Sequence, residues 1–215
     1  PPRSTLFPYT TLFRSGATII GTSPDDIDAA EDRDFFKQLA DRLQIRQPPS
    51  GIAHNVPEAM AIADKIGFPV LVRPSFVLGG RAMVIVYEKQ HLQKYVEEAA
   101  QVAEGKPILI DRFLEHATEV DVDFLSDGTN TVIGAIMEHV ELAGIHSGDS
   151  ACSIPTQSLS AKVKQTIREQ SAALARELHV CGLINIQFAV QDDEVYILEV
   201  RSEEHTSELQ SLAYL

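Results

Sequence analysis

The chain is 215 residues long, 44% hydrophobic and 23% charged, which suits one or two compact globular units and excludes disorder, collagen and a coiled-coil rod. Its 18 basic and 31 acidic side chains give a formal charge of −13, so it lacks the basic footprint of a nucleic-acid binder, and an anionic membrane would repel it. Any polyphosphate must meet a local positive site, no apolar run nears the roughly 20 residues of a membrane helix, and Cys152 and Cys181, without metal-ligand spacing, fit a reducing cytosolic setting.

Residues 1–15 and 201–215 read as foreign to the rest of the chain. Leu12-Phe13-Arg14-Ser15 can be written CTC TTC CGA TCT, and the reverse complement of that string encodes Arg201-Ser202-Glu203-Glu204. One DNA element in two orientations accounts for both; the alternative is a natural extension and tail. The stretches TLFPYTTLFRS and RSEEHTSELQS resemble translated sequencing-library adapters, with neither an amphipathic period nor a targeting pattern. The natural segment is then about Gly16 to Val200.

Within it, Thr18 to Ile20 reads as a short strand closed by Gly21. Ser23-Pro24-Asp25-Asp26 supplies an N-cap, a first-turn proline and early acids, so a helix starts there. Phe35, Phe36, Leu39, Ala40 and Leu43 recur at helical spacing, and Pro48-Pro49-Ser50-Gly51 ends that element. After it come a helix from Asn55 to the Gly67 cap, a buried strand at Val70 to Val72, a loop with Gly79 and Gly80, and a strand at Met83 to Tyr87. A helix at Gln90 to Ala103, a strand at Ile108 to Phe113 and an alternating strand at Glu119 to Leu125 are next, closed by Asp127-Gly128. Ser160 caps a helix with the stripe Val163, Ile167, Leu174 and Leu178. Leu183 to Val190 then pairs with Val195 to Val200 across Asp192-Asp193. The class is α+β with mixed or antiparallel sheets.

Arg73 stands at the end of a buried strand, ahead of a loop whose glycines let backbone amides approach a ligand closely. A guanidinium there offers forked, permanent contacts to phosphate oxygens, although a glycine pair in a hairpin is also an ordinary turn. With Val190 opposite Val195, Gln187 falls opposite Leu198, one position from Glu199. A bulge or a one-residue shift would oppose Gln187 and Glu199 directly, giving an amide carbonyl and a carboxylate suited to Mg²⁺; the alternative is a pair of strand-edge polar residues. Glu119, Asp121 and Asp123 share one strand face, suited to ribose hydroxyls, to a metal or simply to solvent. His139 and His146 flank Glu141 and Gly144 beside the loop Gly144-Ile145-His146-Ser147, a nucleotide-contact candidate. Cys152 reads as a small buried hydrophobe.

The strings GTSPDDIDAAEDRDFF, PVLVRPSFVLGGRAM, LIDRFLEHATEVDVD, IMEHVELAGIHSGDSACSIP and NIQFAV…VYILEV together resemble the carbamoyl-phosphate synthase large chain over Gly16 to Val200. Within that family, GGRAM and HSGDSACS look like the second, carbamate-phosphorylating unit. The resemblance implies an ATP-grasp fold, with nucleotide between a small lid, about residues 70–115, and a larger antiparallel sheet with flanking helices. It implies that Arg73 touches phosphate as the catalytic arginine and that Gly79 and Gly80 belong to the lid. Arg112 and Leu114 lie in the adenine hinge, Glu119 contacts ribose, and Gly144, Ile145, His146 and Ser147 line the nucleotide site. Gln187 and Glu199 contact nucleotide and ligate Mg²⁺ or Mn²⁺, and Arg33 matches a further family arginine at the nucleotide site.

The implied substrates are ATP and carbamate. The implied partners are a glutaminase small chain and the rest of the large chain, serving arginine or pyrimidine synthesis from bicarbonate, glutamine or ammonia, and ATP. Where the family continues Glu-Val with Asn-Pro-Arg, this chain has Arg201-Ser202, which removes an expected metal ligand and adds a cation. Two other readings stay open: a biotin carboxylase-like ATP-grasp ligase, and a nucleotide-binding fragment without turnover.

Overall fold

The computed structural model describes residues 21–74, 83–103, 107–142 and 150–202. The described backbone divides into two compact units. One holds the described residues up to Arg46, Glu119–His139 and those from Cys152 onward; the other holds the described residues of Gln47–Thr118 and Val140–Ala151. No described helix is long and apolar enough to cross a membrane.

In the first unit, helix α1 (Pro24–Glu31) is capped by Ser23, whose Oγ accepts the Asp26 N–H at 3.2 Å. Helix α2 (Arg33–Arg42) starts from Asp32, whose carboxylate accepts the Phe35 N–H at 2.9 Å. It buries Phe36, Leu39 and Ala40, three positions that helical spacing gathers on one side.

The described residues of Gln47–Thr118 in the second unit form β1 (Ser50–Ala53), α3 (Val56–Ile66), β2 (Val70–Pro74), β3 (Val84–Val86), α4 (Lys89–Ala103) and β4 (Ile108–Arg112). Its antiparallel sheet runs in the order β1-β4-β2-β3. Asn55 caps α3 by accepting the Glu58 N–H at 2.9 Å, while Glu58 reaches back to the His54 N–H at 2.8 Å. Gly67, at φ +82°, ends the helix in a conformation that a Cβ would strain. Ala59, Ala63, Leu92 and Val96 from these helices pack with Val70, Val72 and Ile110 from the sheet. Ser50-Gly51, which the prolines mark as loop, instead opens β1, because Ser50–Ala53 finds a ladder partner in β4.

The chain then adds β5 (Thr118–Asp127), β6 (Thr131–Leu142), β7 (Cys152–Ser153), α5 (Ala161–Glu177), β8 (Cys181–Gln191) and β9 (Glu194–Ser202). The five-stranded sheet has the order β7-β6-β5-β8-β9. Ser160 caps α5 through the Val163 N–H at 3.2 Å. Val163, Ile167 and Leu174 of α5 join Val120, Val122 and Phe124 of β5, Ile184, Ile186 and Phe188 of β8, and Ile197 of β9 in one core. Each such side chain contributes about 1.5–3 kcal/mol by leaving water. Strand alternation then sends Glu119, Asp121, Asp123, Asn185 and Gln187 to the opposite face. The core thereby determines which polar residues line the sheet's other side.

Candidate functional site

The β8–β9 hairpin closes on Asp192 and Asp193 with φ of 52° and 61°, the left-handed pair that a two-residue hairpin turn needs. Pairing runs flush from Gln191↔Glu194 through Val190↔Val195 and Ala189↔Tyr196 to Phe188↔Ile197. The register then slips, Leu198 is left over, and Gln187 pairs with Glu199. The bulge that simple counting from the turn leaves open is therefore present. Ile186 and Val200, the neighbouring pair, are buried in the core, so Gln187 and Glu199 face away from it. Two hard oxygen donors thus stand side by side, one neutral and one anionic, a set that fits Mg²⁺ or Mn²⁺ completed by oxygen atoms from elsewhere. Among the described residues no group of three or more His, Cys, Asp and Glu could hold a metal ion.

The acidic face of β5 is mostly engaged with protein. Asp121 Oδ2 lies 3.0 Å from His139 Nε2, and Asp123 accepts from the Asn185 side chain at 2.8 Å. Asp121 Oδ1 is buried without a hydrogen-bond partner. Glu119 is 7% exposed, unusual for a carboxylate.

In the other unit, Arg73 at the end of β2 donates from Nε to Asp111 Oδ2 on β4 at 2.8 Å. This bond uses one of the guanidinium's five N–H groups and fixes the plane of the other four. Arg112 donates backbone N–H to the Pro49 carbonyl at 2.7 Å and its side chain to the Phe68 carbonyl, so it is held on both counts. Leu114, two residues on, is 9% exposed. Glu141 accepts the Ser150 hydroxyl at 2.5 Å and the Ala151 N–H at 2.9 Å, tying together the two flanks of residues 143–149.

Gly79, Gly80, Gly144, Ile145, His146, Ser147 and the short strand expected at Thr18 to Ile20 lie outside the described residues, and Arg33 is described only as the first residue of α2. One expectation is corrected: Cys152 is exposed, because β7 is a two-residue edge strand rather than part of the core.

The family model described as carbamoyl-phosphate synthase L chain, ATP binding domain, matches residues 32–207. The chain belongs to that family. The carbamoyl phosphate synthase large chain, C-terminal section, of Aquifex aeolicus is 56% identical over 189 residues, 88% of this chain and 35% of that protein. The large chains of Neisseria meningitidis serogroup A and Archaeoglobus fulgidus are 58% and 60% identical, over 18% and 17% of their lengths. The chain thus spans about a third or less of these relatives.

Among solved structures, the biotin carboxylase from Campylobacter jejuni in its β-γ-ATP complex superposes with TM-score 0.77 at 19% identity, over 95% of this chain and 47% of that one. The biotin carboxylase domain of Hydrogenobacter thermophilus 2-oxoglutarate carboxylase, solved with MgADP and bicarbonate, gives 0.75 at 20%, over 93% and 46%. At such identities the likeness establishes the ATP-grasp fold and nothing finer.

For this carbamoyl-phosphate synthase L chain ATP binding domain, the residue that the sequence reading passes over is Glu138 on β6, next to the His139 that it singles out. Glu138 is buried and takes the backbone N–H groups of Gln157 and Ser158, at 2.6 and 2.9 Å. His139, next to it, is buried against Asp121. The only sequence signal is two adjacent polar residues inside an otherwise apolar run, Met137-Glu138-His139-Val140.

Proposed function

We propose that the chain is the nucleotide-binding core of the carbamate-phosphorylating unit of a carbamoyl-phosphate synthase large chain. The observation that supports this reading is the direct opposition of Gln187 and Glu199 across the bulge at Leu198, as a shared metal site would require. The Aquifex aeolicus relative, a C-terminal section by its own description, and the strings GGRAM and HSGDSACS support assignment to the second unit.

In this reading Gln187 and Glu199 hold Mg²⁺ or Mn²⁺, which would neutralise charge on the ATP phosphates. Arg73, oriented by Asp111, contacts phosphate. Arg112 and Leu114 belong to the adenine hinge, Glu119 receives ribose, and Gly144, Ile145, His146 and Ser147, with Arg33, complete the nucleotide contacts. Gly79 and Gly80 belong to a lid of about residues 70–115, a stretch whose described part falls within the second compact unit. A carbamate oxygen attacks the γ-phosphorus of ATP, giving carbamoyl phosphate and ADP, with no protein nucleophile. The protein's part is to position the reactants, neutralise charge and exclude water. A glutaminase small chain, the rest of the large chain and a cytosolic setting complete the proposal. Residues 1–15 and 201–215 are proposed to be foreign.

A second reading is nucleotide binding without turnover. Arg201, in register with Asn185 and two residues past Glu199, stands where the family's third ligand is expected. Incubating the chain with carbamoyl phosphate and Mg-ADP distinguishes the two. ATP formation supports the first, Mg-ADP binding without ATP supports the second, and the absence of Mg-ADP binding overturns both. ADP release that requires bicarbonate and biotin would instead indicate a biotin carboxylase-like ligase.

A further inference from the structure

The face of the five-stranded sheet opposite its core carries more polar residues than the nucleotide assignments use. His139 on β6 has a side chain 1% exposed, and its Nε2 meets Asp121 Oδ2 on β5 at 3.0 Å. A carboxylate only accepts, so Nε2 carries the proton. The second carboxylate oxygen, Oδ1, is buried with no partner, an arrangement that folded proteins rarely leave without a use.

Two residues along β5, Asp123 accepts from Asn185 on β8. The strands are neighbours in an antiparallel sheet, so going from Asp123 to Asp121 on one and from Asn185 to Gln187 on the other moves the same way along the face. Asp121 therefore stands beside Gln187, and Gln187 beside Glu199. Four adjacent strands present His139, Asp121, Gln187 and Glu199 as one transverse row.

A carboxamide has a donor end and an acceptor end, and only the acceptor oxygen ligates a cation. With Glu199 alone as neighbour, the Gln187 NH₂ would turn to that carboxylate and present the wrong end to a metal. Asp121, with an unmet acceptor on the other side, reverses that preference. We propose that when Gln187 Oε1 takes a divalent cation beside Glu199, the Gln187 NH₂ turns to Asp121 Oδ1, the acceptor that has no partner here and is held in place by the Asp121–His139 bond. Asp121 and His139 are positioning residues, as the outer partners of metal ligands commonly are. The inference rests on the reading that Gln187 and Glu199 hold the metal that accompanies the nucleotide.

The test is Mn²⁺ binding in the presence of ADP, followed by the electron paramagnetic resonance signal of free Mn²⁺, alongside metal-free ADP affinity and thermal unfolding of the same proteins. Asp121→Asn should weaken Mn²⁺ binding by about tenfold, the lower end expected when such an outer partner is removed, with metal-free ADP affinity unchanged. In a Gln187→Glu background, where both ends of the side chain are oxygen, Asp121→Asn should have no such effect. His139→Gln, which keeps a donor near the Nε2 position, should retain Mn²⁺ affinity, whereas His139→Leu should lose it. Should His139→Leu fail to fold, the Asp121 and Gln187 cycle decides alone. Equal losses in both Gln187 backgrounds, or no loss in either, would overturn the positioning role. If the unaltered chain binds no Mn²⁺ with ADP, the metal reading beneath it fails instead.

Discussion

Gln187 and Glu199 face each other because one residue, Leu198, is extra in β9; without that slip the carboxamide would oppose a leucine. The hairpin thus assembles its two oxygen donors by a backbone irregularity rather than by a flush ladder. Bulges commonly serve to re-aim a side chain in this way.

Replacing Glu199 with Gln removes the anionic donor and leaves the core untouched, since Glu199 is exposed on the face opposite it. Divalent-metal affinity in the presence of ADP should fall by at least about tenfold, while unfolding free energy stays within about 0.5 kcal/mol. Calorimetric titration with metal and urea denaturation measure the two. Unchanged metal dependence would remove Glu199 from the site.

Asp111→Ala takes the acceptor from Arg73 Nε, a contact of 2.8 Å in which the Arg73 side chain is 35% exposed. Because that pair is partly solvated, its loss should cost only about 0.5–1 kcal/mol of stability. Nucleotide affinity should drop because the guanidinium plane is no longer fixed, though by less than in Arg73→Ala. Arg73→Lys should not restore it, because an ammonium lacks the planar fork. ADP affinity across the three variants ranks these effects.

Glu138 binds the Gln157 and Ser158 backbones to β6. Burial alone would raise its pKa, but hydrogen bonds from Ser158, Gln157 and Leu159 outweigh that, and the carboxyl lies below its ordinary 4.5. A carboxyl whose pKa is lower folded than unfolded stabilises the fold fully above the unfolded value, and that contribution fades as pH falls through the folded one. Glu138→Gln should therefore cost about 1.5–3 kcal/mol at neutral pH, and the gap from the unaltered chain should narrow below about pH 4. Denaturant unfolding at neutral and acid pH tests this; a gap that widens in acid would contradict it.

Arg201→Asn restores the residue type that the family pattern expects two positions after Glu199. It replaces a cation with an oxygen donor, so metal affinity with ADP should rise several-fold, and any ATP formed from carbamoyl phosphate and ADP should rise with it. A decrease in both would show that the arginine is not an obstacle at that position.

The amino-acid sequence alone determined the elements that rest on local rules. Ser23, Asn55 and Ser160 cap helices where their side chains predict, because capping is settled within one turn. The alternation of Val120, Val122 and Phe124 fixed which face of β5 is buried, since a strand can turn only two ways. The match of Arg73, Gln187 and Glu199 to a family pattern was equally open to reading, being a matter of residue type and spacing.

Tertiary structure decided the rest, for reasons that lie in long-range pairing. β1 and β7 are too short to announce themselves and exist through their ladders to β4 and β6. β6 hides its period because Glu138 and His139, adjacent in sequence, are both buried, one by the Gln157 and Ser158 amides and the other by Asp121. The slip at Leu198 depends on how the whole β8–β9 ladder settles against the core, which no count of residues from the turn can give. Spacing could supply the candidate ligands; only the packed sheet could bring them face to face.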